Sequence, residues 1–361
     1  MLDGILVHMQ NNKPKISVLM SIYREPIEWI RASIDSILKQ SYKNIELIAV
    51  LDSPDYEGNQ IVFDIASQDD RIKIVKNEEN KGLTKSLIHA MGQAQGSYIA
   101  RMDADDIAEP NRFERQLKYM EEHPNVSVVG SYVDVFREDG SHQIGMNNLD
   151  SDQENNRIRM LFCNAGVVHS TALMRKSFLD EYHISYDPKM KKSQDYGLWV
   201  DIVSAGGEIQ IIPEILLRYR VHGNQITNRN SDEQRRCYAY AINKQIERLG
   251  IVLSEDELDL HLVLHNYRVG INPNMVWKHV LNLIEANDHR GIYDKKKFRS
   301  ITFSFYLHYI LKEMRTQKKS DYIRLMWRVI SCKTLKTLCK VYISDKKYRR
   351  VLSKYLAKKS S

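Results

Sequence analysis

Three carboxylates fall within four residues in the stretch Arg101-Met102-Asp103-Ala104-Asp105-Asp106. Held so close they repel one another, and a cation seated among them relieves the repulsion. Hard oxygen donors of this kind suit Mg2+ or Mn2+, gripped by one or two carboxylates while substrate phosphates complete the shell. The competing reading is a solvated acidic turn ahead of the helix that begins at Pro110. Taken alone, the two readings balance. A second stretch, Asn80-Lys81-Gly82 with Lys85 following, sets a glycine and two lysines where a loop turns into a helix. Helix N-terminal N–H groups and a lysine suit a diphosphate. Solvated lysines are the plainer alternative.

The elements that must carry these residues can be read from hydrophobic periodicity. KISVLMSI (15–22), NIELIAVL (44–51), RIKIVK (71–76), SYIARM (97–102) and VSVVGSYV (126–133) are short apolar, β-branched runs and predict strands. Between them lie segments of helical period: one opened by Pro26 with Ile27, Ile30, Ile34, Ile37 and Leu38 on one face, then 57–67, 83–94, and a helix from Pro110 to about Glu122. Strands alternating with helices through short links imply an α/β fold, a Rossmann-like and mostly parallel sheet with helices on both faces. Ligands in such folds lie beyond the carboxyl ends of the strands. Those ends carry Ser21-Ile22-Tyr23-Arg24-Glu25, Asp52-Ser53-Pro54-Asp55 and the Asp103–Asp106 cluster, so topology alone gathers polar and acidic groups at one edge. Residues 134–160 read as loop-rich ahead of a helix, ALMR (172–175) as a strand, 194–205 as a helix, and EIQIIP and EILLRYRVH as two strands. From about Ser231 the pattern is helical nearly throughout. The expected division is a catalytic domain over 1–235 and a helical, basic C-terminal region over 236–361.

Charge supports two parts with different tasks. The net charge of +7 hides an acidic first 240 residues, at −7, and a basic remainder, at +14. An acidic region holds a divalent cation, whereas a basic one seeks an anionic surface. The four cysteines, Cys163, Cys237, Cys332 and Cys339, form no CxxC pair, so neither a zinc site nor a disulfide framework is expected and a reducing, cytoplasmic setting fits. No basic segment followed by a long apolar stretch opens the sequence, and the run near Ile301–Leu311 is too short and polar to cross a bilayer.

The pieces SVLMSIYRE, ELIAVLD, NEENKGLTKSL, GSYIARMDADD and PNRFERQ, followed by VVHSTALMRKSF, KSQDYGLWVDIVSAGG and LLRYRVHGNQIT, occur in an order and spacing that resemble family 2 glycosyltransferases of the GT-A fold. The resemblance covers roughly residues 15–230. It implies an inverting, metal-dependent hexosyl- or N-acetylhexosaminyl-transferase that moves a sugar from a nucleoside diphosphate to a saccharide hydroxyl in surface polysaccharide assembly, such as capsule. By the same resemblance Ser21, Tyr23 and Glu25 line the base and ribose pocket, with Lys81 and Lys85 near the phosphates. Asp52 accepts a hydrogen bond from the base, which favours the imide of uracil; UDP comes first, with dTDP and GDP as alternatives. Asp103 contacts the ribose or the metal and Asp105 ligates the metal, Mn2+ or Mg2+, between the phosphates. His222 stands where many such enzymes place a histidine on the metal. Asp195, in Gln194-Asp195-Tyr196, is the implied general base, and His169 and Gln194 approach the acceptor or the donor phosphates. Three positions depart from the family pattern: Asp52 stands alone where a DDGS-like turn is usual, the asparagine usual near Ile88 is absent, and Gln194 replaces a glutamate. A sugar nucleotidyltransferase is the enzymatic alternative, although SVLMSIYRE lacks the Gly-rich phosphate loop that class needs. A non-catalytic nucleotide-sugar-binding protein is the other.

Gly291–Ser361 holds 20 Lys and Arg against 4 Asp and Glu, mixed with aromatic and aliphatic residues at helical spacing. Interfacial helices have this composition, and polybasic segments gain about 1 kcal/mol per Lys or Arg near an anionic leaflet. Peripheral contact with the inner face of the plasma membrane, next to a lipid-linked acceptor, is one expectation. A helical subdomain whose aromatics pack inward is the other. No nucleic-acid motif is present, and no such partner is expected.

Overall fold

The strongest strand signals are the uninterrupted apolar runs, which in a parallel sheet are buried on both faces. β1 (Ile16–Ile22) and β2 (Ile45–Leu51) behave this way: Val18, Leu19, Met20, Leu47, Ile48 and Ala49 are all fully buried. The computed structural model describes residues 14–137, 140–145, 149–150, 152–223, 232–265 and 271–313. β1 pairs in parallel with β2 and with β4 (Tyr98–Arg101), and β2 pairs in parallel with β3 (Ile72–Lys76). The sheet continues through β8 (Leu173–Arg175), β6 (Val126–Arg137), β9 (Glu208–Val221) and β5 (Ile107–Ala108), giving the order β3-β2-β1-β4-β8-β6-β9-β5, with β7 (His142–Gly145) on β6. β8 is antiparallel to both β4 and β6, so β6 and its parallel partner β9 run in the direction of β1–β4. The carboxyl ends of six strands therefore lie at one edge.

Two details depart from the sequence reading. β6 continues to Arg137 and pairs antiparallel with β7, where a loop was expected; Val133 and Val135 lie on one face of the strand and Phe136 on the other. EIQIIP and EILLRYRVH form one strand, β9, rather than two. Its register against β6 shifts around Tyr132, opposite Pro213-Glu214. Proline has no N–H for the ladder, so a bulge absorbs it without ending the strand.

The helices pack by their apolar stripes. α1 (Ile27–Leu38) buries Ile30, Ser33, Ile34 and Ile37, an i, i+3, i+4, i+7 face. Each isoleucine contributes about 1.5–3 kcal/mol by leaving water, and Ile34→Ala would cost about 2–5 kcal/mol. α2 (Gln60–Ala66), α3 (Leu83–Gln93) and α4 (Arg112–Glu122) follow the strands as expected. At the amino ends of the parallel strands, Glu46 of β2 is the junction. It accepts hydrogen bonds from Ser17 Oγ (2.5 Å) and Gln95 N (2.8 Å) and pairs with Lys15 (3.1 Å) and Lys73 (2.7 Å). One carboxylate thus ties β1, β2, β3 and the entry to β4.

The chain divides into two compact units, one within Met1–Ser151 and Ala165–Ala241, the other within Asp152–Asn164 and Ile242–Ser361. The sheet, α6 (Lys176–Glu181) and α7 (Gln194–Ser204) belong to the first. α8 (Asp232–Ile246) spans the division at Ala241. The second unit contains α5 (Gln153–Arg159), α9 (Glu255–Leu262), α10 (Pro273–Arg290) and α11 (Lys295–Glu313). Its helix ends follow local rules: a capping box joins Ser254 and Glu257, and α10 runs from an Asn272 cap with Pro273 at its first position to Gly291. In α11, Phe298, Phe303, Tyr306, Tyr309 and Ile310 are buried, and Trp277 stacks on Phe303 with ring centres 5.5 Å apart. For 298–311, then, the aromatics pack inward rather than forming an exposed stripe. The rest of the basic tail, 314–361, lies outside the described residues. No helix among the described residues is long and apolar enough to cross a membrane.

Candidate active site

The acidic turn after β4 is anchored before it presents any side chain. Ser33 Oγ of α1 donates to Asp103 O (2.8 Å), Ala108 N donates to Ser36 Oγ (3.0 Å), and Gln40 Nε2 donates to Glu109 O (2.7 Å). From this frame one oxygen each of Asp103, Asp105 and Asp106 converge to within 4.8 Å of one another. β9 delivers the other wall. Arg220 N donates to Asp106 Oδ1 (2.9 Å), Arg220 Nε donates to Asp105 O (2.8 Å), and His222 Nε2 lies 3.0 Å from Asp105 Oδ2. Trp29 of α1 holds both: its ring lies 5.1 Å from that of His222 and 4.5 Å beneath the Arg220 guanidinium.

Electrostatics at this edge favour a cation. Burial raises the Asp105 carboxyl above its ordinary value and Asp103 raises it further, against the pull of His222. Asp106 is raised well above the ordinary carboxylate range by burial, then by Asp103 and Asp105, and its Oδ2 has no hydrogen-bond partner. Glu25, following β1, is raised by burial and again by Asp105 and Asp103, which places its carboxyl in the same field. Three carboxylates, one of them (Asp106) with a buried oxygen that has no hydrogen-bond partner, and an imidazole beside Asp105 make a donor set that fits Mn2+ or Mg2+.

The remaining sequence candidates distribute around this edge. Asp52 is buried after β2 and accepts from Asn77 Nδ2 (2.7 Å), Lys81 N (2.8 Å) and Gly82 N (3.0 Å). Gly82, at φ +80°, supplies the left-handed turn that aims these N–H groups at Asp52 instead of outward. A carboxylate has about four acceptor positions, so one remains for a base. Lys81 and Lys85 are exposed at the start of α3, Ser21 is half-buried at the end of β1, and Tyr23 is exposed beside Arg24.

Asp195 occupies the first turn of α7 behind a buried Gln194. Ser193, at φ +53°, takes a left-handed conformation that costs a non-glycine residue about 1–3 kcal/mol; such strain gathers at functional sites. His169 Nε2 lies 2.7 Å from Tyr186 Oη, and its ring meets Trp199 edge-on. Burial, reinforced by Arg101, lowers His169 well below its ordinary value, so the ring is neutral. Burial raises the Tyr186 phenol; Arg101 opposes, and both Asp195 and Asp103 add to the rise. One buried phenol therefore feels the α7 carboxylate and the acidic turn together. Gly166 makes this packing possible, because a Cβ there would stand 2.1 Å from Trp199 Cδ1.

Sequence reasoning missed Tyr186, Trp29 and two enclosed arginines, Arg101 and Arg112. Arg101 donates to Asp103, and Arg112 NH2 donates to Arg101 O (2.9 Å). Tyr186 and Trp29 carry no local signal, since only the fold brings them to the edge. Arg101 lay inside the acidic motif, and an arginine in an apolar strand is the one hint available.

Residues 17–183 match the pattern of Glycosyl transferase family 2. A glycosyltransferase of Methanocaldococcus jannaschii whose role is uncharacterised is 35% identical over 212 residues, covering 58% of this chain and 72% of the relative. The amylovoran biosynthesis glycosyltransferase AmsE of Erwinia amylovora is 30% identical over 216 residues, 59% of this chain and 79% of its own. Residues 1–349 of S. aureus TarS, solved in complex with UDP-GlcNAc, share the fold with a TM-score of 0.52 at 15% identity, over 81% of this chain and 91% of that one. The architecture is thus that of the GT-A glycosyltransferases. Within that class, the chain belongs to glycosyl transferase family 2.

Proposed function

We propose that this glycosyltransferase moves a sugar from a UDP-linked donor to a saccharide hydroxyl, with inversion at the anomeric carbon, during surface polysaccharide biosynthesis. The observation that carries the reading is the convergence of Asp103, Asp105 and Asp106 at the carboxyl edge of the sheet, with His222 Nε2 3.0 Å from Asp105. Asp105 and His222, with Asp103, would hold Mn2+ or Mg2+. A metal there supplies Lewis-acid neutralisation of charge on the departing diphosphate. Asp52, with Tyr23, Ser21 and Glu25, suits the uridine, and the exposed Lys81 and Lys85 suit its phosphates. Asp195 takes the proton from the acceptor hydroxyl as that oxygen attacks the anomeric carbon. Attack from the face opposite the diphosphate inverts the centre in a single displacement. Neutral His169 and Gln194 orient the acceptor or the donor phosphates.

The UDP assignment draws on the uracil imide argument and on the UDP-GlcNAc held by TarS; the polysaccharide assignment draws on AmsE. A cleft of about 420 Å3 lined by Tyr182, Ser185, Tyr186, Asp187 and Asp201 offers aromatic faces and carboxylates suited to acceptor sugars. The basic tail would bring the enzyme to an anionic membrane surface and a lipid-linked acceptor. Asp195→Asn tests the mechanism. Transfer should fall by about 10²–10⁴-fold, the range of general-base catalysis, while calorimetric UDP affinity in Mn2+ stays within a factor of two. Unchanged turnover would remove Asp195 as the base.

A further inference from the structure

Crowding three carboxylates on one turn is unfavourable until a cation binds, and in its absence the fold must supply positive charge of its own. Arg101 and Arg112 are both fully buried, an uncommon setting for a charged group unless it has a counter-charge. Arg101 has one in Asp103. Arg112 has no carboxylate in hydrogen-bond contact. Its Nε donates to Gln116 Oε1 (3.0 Å), its NH2 to Arg101 O (2.9 Å), and its NH1 faces Met102 Sδ at 3.5 Å. All three acceptors are neutral. Burial accordingly lowers the guanidinium to about 9, with Arg101 adding to the fall, and the strongest opposing influence is Asp106. Asp106 is 1% exposed and weakly satisfied: Arg220 N donates to its Oδ1, the Ser170 hydroxyl is the one other polar group drawing its carboxyl down, and its Oδ2 has no well-aligned hydrogen bond. A buried guanidinium thus sits at the root of the acidic turn, bonded to the Arg101 carbonyl two residues before Asp103, and the carboxylate it feels most is the buried Asp106.

We propose that Arg112 is the resident counter-charge of the acidic turn, a positioning residue that holds Asp103–Asp106 in their converged arrangement before any cation arrives and thereby also limits how tightly the turn binds one. The second half follows from reciprocity. If the guanidinium and a divalent cation both stabilise the same carboxylates and repel each other, each lowers the affinity for the other by the same factor. Arg112 touches none of the reacting atoms and acts only through Asp106 and the Arg101 carbonyl. The inference rests on the metal reading given above.

The test measures Mn2+ affinity and thermal unfolding of the full-length protein, wild type against Arg112→Gln, Arg112→Lys, Asp106→Asn and the double variant Arg112→Gln/Asp106→Asn. Glutamine can still donate to the Arg101 carbonyl but carries no charge. Arg112→Gln should melt lower without metal, bind Mn2+ at least tenfold tighter by calorimetry, and recover most of its deficit at saturating Mn2+. Arg112→Lys should stay near wild type in affinity, and Asp106→Asn should relieve the metal-free deficit of Arg112→Gln. An arginine that only fills space would lower the melting temperature equally with and without Mn2+ and leave affinity unchanged or weaker; that pattern overturns the proposal. If Arg112→Gln does not fold, the comparison is made within the Asp106→Asn background, where the charge coupling is removed and Arg112→Gln should leave Mn2+ affinity within threefold; a tenfold gain there counts against Asp106 as the link. A wild-type protein that takes up no Mn2+ refutes the metal reading itself. In that case the metal-free cycle still decides the positioning role, and additive effects of Arg112→Gln and Asp106→Asn would overturn it.

Discussion

Glu46→Gln tests whether the junction at the amino ends of the strands is an ionic device or a packed polar filler. Burial by itself would raise the Glu46 carboxyl; the contacts from Lys73, Ser17, Gln95 N and Lys15 outweigh it and bring the group down from 4.5 to about 2. A fall of about 2.5 units corresponds to about 3 kcal/mol in favour of the folded state. Lys15 and Lys73 are 34% and 39% exposed, so solvent screening reduces this to about 2 kcal/mol. Glutamine keeps the volume and can still accept from Ser17 and Gln95, which isolates the charge. The folded value is depressed, so the contribution is complete above 4.5 and drains away as the pH falls towards 2. Urea unfolding followed by circular dichroism should show the variant about 2 kcal/mol less stable at pH 7, or roughly 4–8 °C lower in Tm. Near pH 3 the gap should shrink to roughly half. A gap under about 0.5 kcal/mol at pH 7, or one that stays constant down to pH 3, would refute the ionic account.

Gly166→Ala forces a methyl group to 2.1 Å from Trp199 Cδ1, in a fully buried contact. Overpacking of this kind costs about 1–3 kcal/mol, and displacing Trp199 from the edge of His169 should lower transfer more than UDP affinity. Steady-state kinetics beside calorimetry separates the two, and a variant with wild-type kcat would sever Trp199 from the site. In the second unit, His261 Nδ1 lies 3.1 Å from His279 Nε2 while His261 Nε2 donates to Leu161 O (2.7 Å). Burial lowers His261 to about 4, and burial together with His261 lowers His279 to about 3. Both are neutral when folded and gain protons on unfolding below 6.5, so stability should decline as the pH falls from 6.5 towards 4. Thermal scans of wild type and His279→Leu across that window should give a flatter slope for the variant; parallel slopes would exclude the pair as the cause.

How much of this was legible in the sequence depends on the range over which each signal acts. β1, β2, α1 and the acidic turn announce themselves because each is a local pattern: a β-branched run, a 3.6-residue stripe, three carboxylates in four positions. β7 was read as loop because HQIG has no alternation of its own and becomes a strand only by pairing with the extended end of β6. β9 was divided at Pro213 because proline is a strong local stop, and only a neighbouring strand reveals that the stop is a bulge. The site divides along the same line. Asp103 and Asp105 stand out locally, as part of three carboxylates in four positions, whereas His222, 117 positions from Asp105, could be named only through the family resemblance of LLRYRVHGNQIT. Arg112 and Tyr186 could be named by neither route. A buried arginine and a surface arginine have the same letter and the same helical period, and what distinguishes them is the counter-charge that folding brings near. The groups hardest to read from this chain are therefore those whose charge or hydrogen bond acts only on another protein side chain.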